Sequence, residues 1–265
     1  MIMDHTKEKF IFNCRYLGLK YLESAYQELV DRATDQQMSY SEFIQNIVQQ
    51  EANAKKERSI RYRTEESKLP RPHKQLGGFD FGFQPKLNRK LILQLATLDF
   101  FDRGQSILFI GDPGTGKSHL AQAIGLIACQ QRYRVLYTTC SDMLNDLNQG
   151  VYEKTLLIRL QRYVSPDLLL IDEMGHDRLE LEVTKEAHLL FKVINERYNK
   201  NKPLIFTTNV EEPDWAEYLG DPISTKAILD RIFHHSIKVE IKGPSYRQYE
   251  GEKLRQQYVQ DIKEP

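Results

Sequence analysis

The sequence predicts an α/β protein: a parallel five-stranded sheet flanked by helices, preceded by an all-helical N-terminal module. Three observations carry that expectation. From about Phe79 onward, short continuous apolar runs alternate with helical patterns. Strands apolar along their whole length are those buried on both faces, as in parallel sheets covered by helices. One such run leads straight into a glycine-rich turn and a helix, whereas the first 70 residues carry helical periodicity alone.

Composition sets the outer bounds. The chain has 265 residues, 40% of them hydrophobic, with 37 basic and 37 acidic side chains and no net charge. Those figures exclude a disordered polyelectrolyte and a collagen-like chain. No run approaches the ~18 uncharged apolar residues of a membrane-spanning helix, so no membrane association is expected. The first 30 residues are charged throughout and lack the apolar core of a signal peptide. Cys14, Cys129 and Cys140 lie too far apart for a disulfide framework or a four-ligand zinc site. The expectation is a soluble, cytoplasmic protein.

The helical module is read first. Tyr21–Arg32 has the spacing of a short helix, and Ser39 and Glu42 form a capping box in which each side chain satisfies an orphan N–H of the first turn. Phe43, Ile44, Ile47, Val48 and Ala52 follow at three- and four-residue spacing. The same register enters a basic stretch, where residues 52–75 hold eight Lys or Arg against three Glu. Pro70, Pro72 and Gly77-Gly78 then punctuate the chain. The predicted division is a helical DNA- or partner-binding module with a basic linker over residues 1–75, and a catalytic α/β domain over 76–265.

Within the second domain, a helix is expected over Leu87–Phe101 and strands over Ser106–Ile110, Val135–Thr139, Leu168–Ile171, Leu204–Thr208 and, more weakly, Ile237–Ile241. Helical patterns separate them at Lys117–Arg132, at Ser141–Val164 with a break at Gly150, and at Lys185–Asn199.

The turn after the first strand reads Gly111-Asp112-Pro113-Gly114-Thr115-Gly116-Lys117-Ser118, which fits G-x-x-x-x-G-K-[ST] in its proper strand–loop–helix setting. The glycines allow backbone N–H groups to face inward with no Cβ in the way. The following helix turns its positive end toward a β-phosphate. Lys117 is placed to bridge terminal phosphates, and the Ser118 hydroxyl to bind Mg²⁺. The third strand ends in Asp172-Glu173, 55 residues after Lys117. Asp172 would hold Mg²⁺ through water, and Glu173 would polarise an attacking water. Without the loop upstream, two acids ending a core strand would be unremarked surface residues.

Two further positions have competing readings. Asn209 either closes its strand as a turn residue or, if that strand lies beside the phosphate loop, hydrogen-bonds a γ-phosphate or the lytic water. Arg231, within an apolar helical stripe, is either an ordinary ion-paired residue or an arginine finger that reaches a neighbouring subunit's γ-phosphate. His176, His234 and His235 read as polar surface residues, and Trp215 as an anchor for the loop after Asn209.

The order strand–GDPGTGKS–helix, LLLIDE, IFTTN and ILDRIFHH, closed by Gly243-Pro-Ser-Tyr-Arg247, resembles the IstB family of transposition helper ATPases. That family belongs to the AAA+ superfamily of P-loop NTPases, near the helicase loader DnaC and the replication initiator DnaA. The resemblance implies that Lys117 and Ser118 carry ATP and Mg²⁺, that Asp172 and Glu173 are the Walker B pair, that Asn209 is the first sensor, and that Arg231 is the arginine finger. Arg247 is a candidate second sensor. The helices of 141–164 resemble the insert that faces DNA in the initiator and loader group, where Lys154, Arg159 and Arg162 would meet phosphates or remain a charged solvent face. Departures are small: His176 where a Tyr is commoner, and Asp112 in place of Pro.

The function expected is an ATP-dependent helper of a cognate transposase. It would form a homo-oligomer, ring or spiral, on duplex DNA, with ATP at subunit interfaces and hydrolysis releasing the grip. Phosphate contacts are expected from Lys55, Lys56, Arg58, Arg61, Arg63 and the insert. The rivals are a DnaC-like helicase loader, which uses the same ATPase, and a small-molecule P-loop kinase, which would need an Arg-rich lid that the sequence lacks.

Overall fold

A computed structural model describes residues 2–174, 183–211, 214–215, 226, 229–232 and 234–263. The chain divides into two compact units, Met1–Tyr62 and Arg63–Pro265.

The first unit is built from α1 (Ile2–Leu17), α2 (Lys20–Asp35) and most of α3 (Tyr40–Glu66). The α1 helix was not expected from sequence; it packs on α2 through Phe10 and Tyr26, whose ring centroids are 5.2 Å apart. The capping box forms as read: Ser39 N–H donates to Glu42 Oε2 at 2.8 Å and Glu42 N–H to Ser39 Oγ at 3.3 Å. Glu51 of α3 is 6% exposed. Its Oε2 accepts the Tyr21 and Leu22 amides at 2.8 and 2.9 Å, and its Oε1 accepts Arg58 at 2.9 Å. Those amides belong to the first turn of α2, so the carboxylate caps one helix from another.

In the second unit the strands are β1 (Ser106–Gly111), β2 (Val135–Thr139), β3 (Leu168–Met174), β4 (Leu204–Thr208) and β5 (Ser236–Ile241), in the order β2-β3-β4-β1-β5 with every pairing parallel. All five lie where the apolar runs placed them. Alternate residues feed two cores. Ile107, Phe109, Leu168, Leu170 and Ile205 point to the side covered by α5 (Lys117–Gln130). Leu108, Ile110, Leu169, Ile171 and Phe206 point to the side covered by α6 (Cys140–Tyr152), α7 (Leu156–Val164) and α8 (Val183–Asn199). Trp215 is buried in this second core and donates its indole N–H to Val210 O at 3.1 Å.

Strand order fixes where a ligand can sit. From β1 the chain crosses by α5 to the far edge at β2; from β4 it leaves the other way, to β5. The chain thus leaves the neighbouring strands β1 and β4 in opposite directions along the sheet, so a crevice opens beyond their carboxyl ends.

Three helix expectations need correction. The helix expected over Leu87–Phe101 is α4, Arg89–Leu95, capped by the Asn88 side chain on Leu91 N–H at 3.1 Å. It stops because Leu98 takes φ +69°, which no α-helix accommodates. The break expected at Gly150 falls at residues 153–155 instead; Gly150 lies within α6, and its lack of a side chain serves close packing, since a Cβ there would meet Arg159 Cδ at 2.7 Å and Leu156 Cα at 3.2 Å. A long helix, α9 (Tyr246–Lys263), was not expected. His176 lies outside the described residues.

Candidate functional site

The crevice is a cavity of about 470 Å³, within the range of small-ligand sites. Gly114, Thr115, Gly116, Lys117 and Ser118 line it, as do Glu173, Thr207, Thr208, Asn209 and Arg247. Gly114 and Asn209, 95 positions apart, are thus joined because β1, β3 and β4 end side by side, and Arg247 joins them from α9.

The loop is shaped by backbone conformations that side chains resist. Gly114 has φ +82°, and a Cβ there would overlap the Ser245 hydroxyl; Gly116 has φ +100°, and its Cβ would lie 2.5 Å from Phe79 Cε2. Gly116 is the N-cap of α5, so the amides opening that helix border the cavity and supply a positive end for an anion. Lys117 Nζ donates to Gly111 O at 2.6 Å and Asp112 O at 2.8 Å. Burial pulls the pKa of this ammonium below its ordinary value, and nearby Arg247 adds to the effect against the attraction of Asp112 and Asp172.

Asp172 is 2% exposed. Its Oδ1 accepts Ser118 Oγ at 2.7 Å, the Thr207 hydroxyl and the Glu173 amide at 3.2 Å; its Oδ2 accepts the Tyr137 phenol at 2.8 Å. Burial, followed by the adjoining Asp172 carboxylate, pushes the Tyr137 pKa far upward, so the phenol remains a donor. Every direct donor to Asp172 among the described residues is neutral. These donors hold the lone pairs of the carboxylate in place without adding a positive charge. Paired with the Ser118 hydroxyl, it offers hard oxygen donors of the kind Mg²⁺ takes together with phosphate oxygens and water.

Glu173 follows in the left-handed region at φ +59°, rare for a non-glycine residue. The β3–β4 register shifts between Ile171 and Met174, and the Glu173 amide turns aside to Thr207 Oγ1 at 3.0 Å. This bulge exposes the side chain at the cavity wall, a re-aiming that bulges beside functional sites commonly produce.

The structure therefore brings Lys117, Ser118, Glu173, Asn209 and Arg247 to one cavity, with Asp172 buried behind its wall and bonded to Ser118 and Thr207. Arg231 is elsewhere. It lies with Ser106 and Leu204, the first residues of β1 and β4, at the opposite end of the sheet. Its Nε donates to Asn195 Oδ1 at 3.0 Å and its guanidinium sits 5.0 Å from the Phe191 ring centroid. Tyr137, Thr207 and Thr208 were not singled out in the sequence. Polar residues at the ends of strands flanking a DE pair are the signal that could have found them.

The basic residues divide as well. Lys55, Lys56 and Arg61 are exposed on α3 and Arg63 is half-buried, whereas Arg58 is paired to Glu51. Lys154 is exposed in the α6–α7 turn, and Arg162, in the last turn of α7, is exposed and pairs with Asp146 at 3.6 Å. Arg159 joins the two helices, donating to Asp146 and, at 2.7 Å, to Glu153.

A family model described as IstB-like ATP binding protein matches residues 13–253. The ATP-binding protein of insertion sequence IS5376 from Geobacillus stearothermophilus is 38% identical over 258 residues, covering 97% of this chain and 98% of the relative. That of insertion sequence IS21 from Pseudomonas aeruginosa is 36% identical over 237 residues, 89% and 88% of the two chains. Among solved structures, AMPPCP-bound DnaA from Aquifex aeolicus superposes with a TM-score of 0.53 at 25% identity over 71% of this chain and 56% of that one. DnaI does so at 0.54 and 20% identity over 66% and 95%, a likeness of fold alone. The chain spans little more than half of the DnaA chain it matches. No helix of the described residues is long and apolar enough to cross a membrane.

Proposed function

The chain belongs to the IstB-like ATP-binding protein family, and from that premise we propose that it is an ATPase that assembles on duplex DNA and assists a transposase. The observation that carries the reading is the division of the site between two ends of the sheet. Loop and bulged Glu173 share one cavity, with the buried carboxylate behind Ser118; Arg231 stands at the other end.

In this reading the amides of Gly114–Lys117 and the Lys117 ammonium hold the β- and γ-phosphates. Ser118 and Asp172 hold Mg²⁺, which when bound neutralises charge on the phosphate oxygens. Glu173, directed into the cavity by its bulge, takes a proton from the attacking water, and Asn209 orients that water or the γ-phosphate. An arginine at the far end of the strands reaches a phosphate in a second copy packed head to tail. Such an interface propagates into a ring or a spiral. ATP then favours the assembled state because it touches both partners only there. Lys55, Lys56 and Arg61, with Lys154 and Arg162, supply contacts to DNA phosphates. The names of the insertion-sequence relatives support a transposase as the protein partner.

The test is mass photometry of the full chain with a short duplex, with and without a non-hydrolysable ATP analogue. Assembly requiring the analogue is expected, and Arg231→Ala should bind the analogue yet neither assemble nor hydrolyse, with turnover down on the order of 10³-fold. A wild-type chain that stays monomeric with both ligands present overturns the proposal, as does an Arg231→Ala protein that assembles and turns over normally.

A further inference from the structure

Tyr137 is set in the middle of β2, the edge strand, one strand away from Asp172. It does not line the cavity, yet both of its donors are committed. Its phenol donates to Asp172 Oδ2 at 2.8 Å, and its backbone N–H donates to Ser67 O at 2.7 Å. The other oxygen differs: Oδ1 accepts the Ser118 and Thr207 hydroxyls and the Glu173 amide, all from residues that line the cavity. A carboxylate rotates easily about its terminal bond. Tethering Oδ2 to a side chain whose own backbone is pinned removes that rotation and leaves Oδ1 directed at Ser118. A neutral donor does so without cancelling the charge that a cation needs.

We propose that Tyr137 is a positioning residue for the divalent cation that accompanies the nucleotide, acting through Asp172 and touching neither metal nor nucleotide. The inference rests on the reading of Ser118 and Asp172 given above. Outer partners of metal ligands typically contribute 10–100-fold in metal affinity. Removing the phenolic oxygen should therefore weaken the response to Mg²⁺ and spare the binding of phosphate by the loop.

The experiment is a binding titration, with no turnover in the readout. The affinity of the full chain for a fluorescent non-hydrolysable ATP analogue is measured in EDTA and across a Mg²⁺ series. Tyr137→Phe should match wild type in EDTA and need roughly tenfold more Mg²⁺, or above, to reach the tightened state. In an Asp172→Asn background the same substitution should change nothing further, because the group it acts through is gone. Replacing Tyr137 by 4-aminophenylalanine, which keeps a donor at that point, should restore part of the Mg²⁺ response. It also supplies the comparison if Tyr137→Phe proves unfolded by circular dichroism, an intermediate shift supporting the inference and an unchanged response overturning it. A wild-type Mg²⁺ curve from Tyr137→Phe, an equal loss with and without Mg²⁺, or an undiminished effect in the Asp172→Asn background overturns the role of Tyr137 alone. A wild-type chain whose nucleotide affinity ignores Mg²⁺ overturns the underlying reading of the site instead.

Discussion

The two units each bury a carboxylate, and the partners of the two differ. Glu51 is met by two opening amides of α2 and the Arg58 guanidinium. Its charge is answered within the fold, and what results is a fastening between helices. Asp172 is met by three hydroxyls and an amide. Its orientation is settled by neutral donors, while the Lys117 ammonium that attracts it donates elsewhere, to Gly111 O and Asp112 O. A buried anion among neutral donors is costly unless a cation arrives, and the arrangement is expected where a metal ion is part of the working state. Burial alone does not distinguish a fastening from a site; the net charge of the partners does.

Substitutions that keep shape and remove charge sharpen the contrast. Asp172→Asn should lower ATP turnover by more than ~100-fold while shifting the melting temperature little, since the amide oxygen still accepts the Ser118 and Thr207 hydroxyls and its NH2 donates to the Tyr137 oxygen once that hydroxyl turns. Retained turnover would place the metal site elsewhere. Glu51→Gln should do the reverse: nucleotide affinity unchanged, and α2 amides less protected in hydrogen exchange by about 2–3 kcal/mol, the worth of hydrogen bonds to a charged group. Equal protection would show that the capping is dispensable.

Acid should separate the units too. Burial raises the Glu51 pKa, but the Leu22 and Tyr21 amides and Arg58 outweigh it and hold the carboxyl below its ordinary value. A depressed folded-state pKa gives stability that is present above the unfolded value of about 4.3 and is lost as pH falls through the folded one. Exchange in α2 should therefore accelerate below about pH 4 in wild type and show no such dependence in Glu51→Gln. The smallest effect expected is in salt. Replacing Lys55, Lys56 and Arg61 together by Ala should reduce the slope of log affinity for duplex against log salt by about 2–3. An unchanged slope would remove α3 from the DNA contacts.

The sequence carried the sheet plainly, because strands buried on both faces must be apolar without interruption. It carried the loop and the Asp172-Glu173 pair because phosphate chemistry constrains residue type and spacing together. Tyr137 and Thr207 were invisible for a physical reason. Each is an ordinary strand residue, and what it touches depends on β2 and β4 flanking β3, an order that no local pattern encodes. Gly150 misled because glycine marks both chain breaks and close packing, and here Arg159 and Leu156 press against it. The α4 pattern ran long because Leu95 and Leu98 continue the apolar spacing past the point where the backbone turns. The α1 and α9 helices escaped notice because α1 averages near neutral in hydropathy and α9 is strongly polar.

The segment after α3 gives the sheet a hem. Ser67 accepts the Tyr137 amide along the outer margin of β2, and Leu69 tucks beneath α5 against the space beside Gly125. An open margin invites adhesion between molecules. A shortened protein starting at residue 76, as the prolines and glycines of the linker suggest, would unpick that hem and tend to clump; one starting at residue 63 would retain it. The stitch that guards against sticking is the same one that steadies Tyr137, so trimming for convenience would also loosen the grip on Asp172.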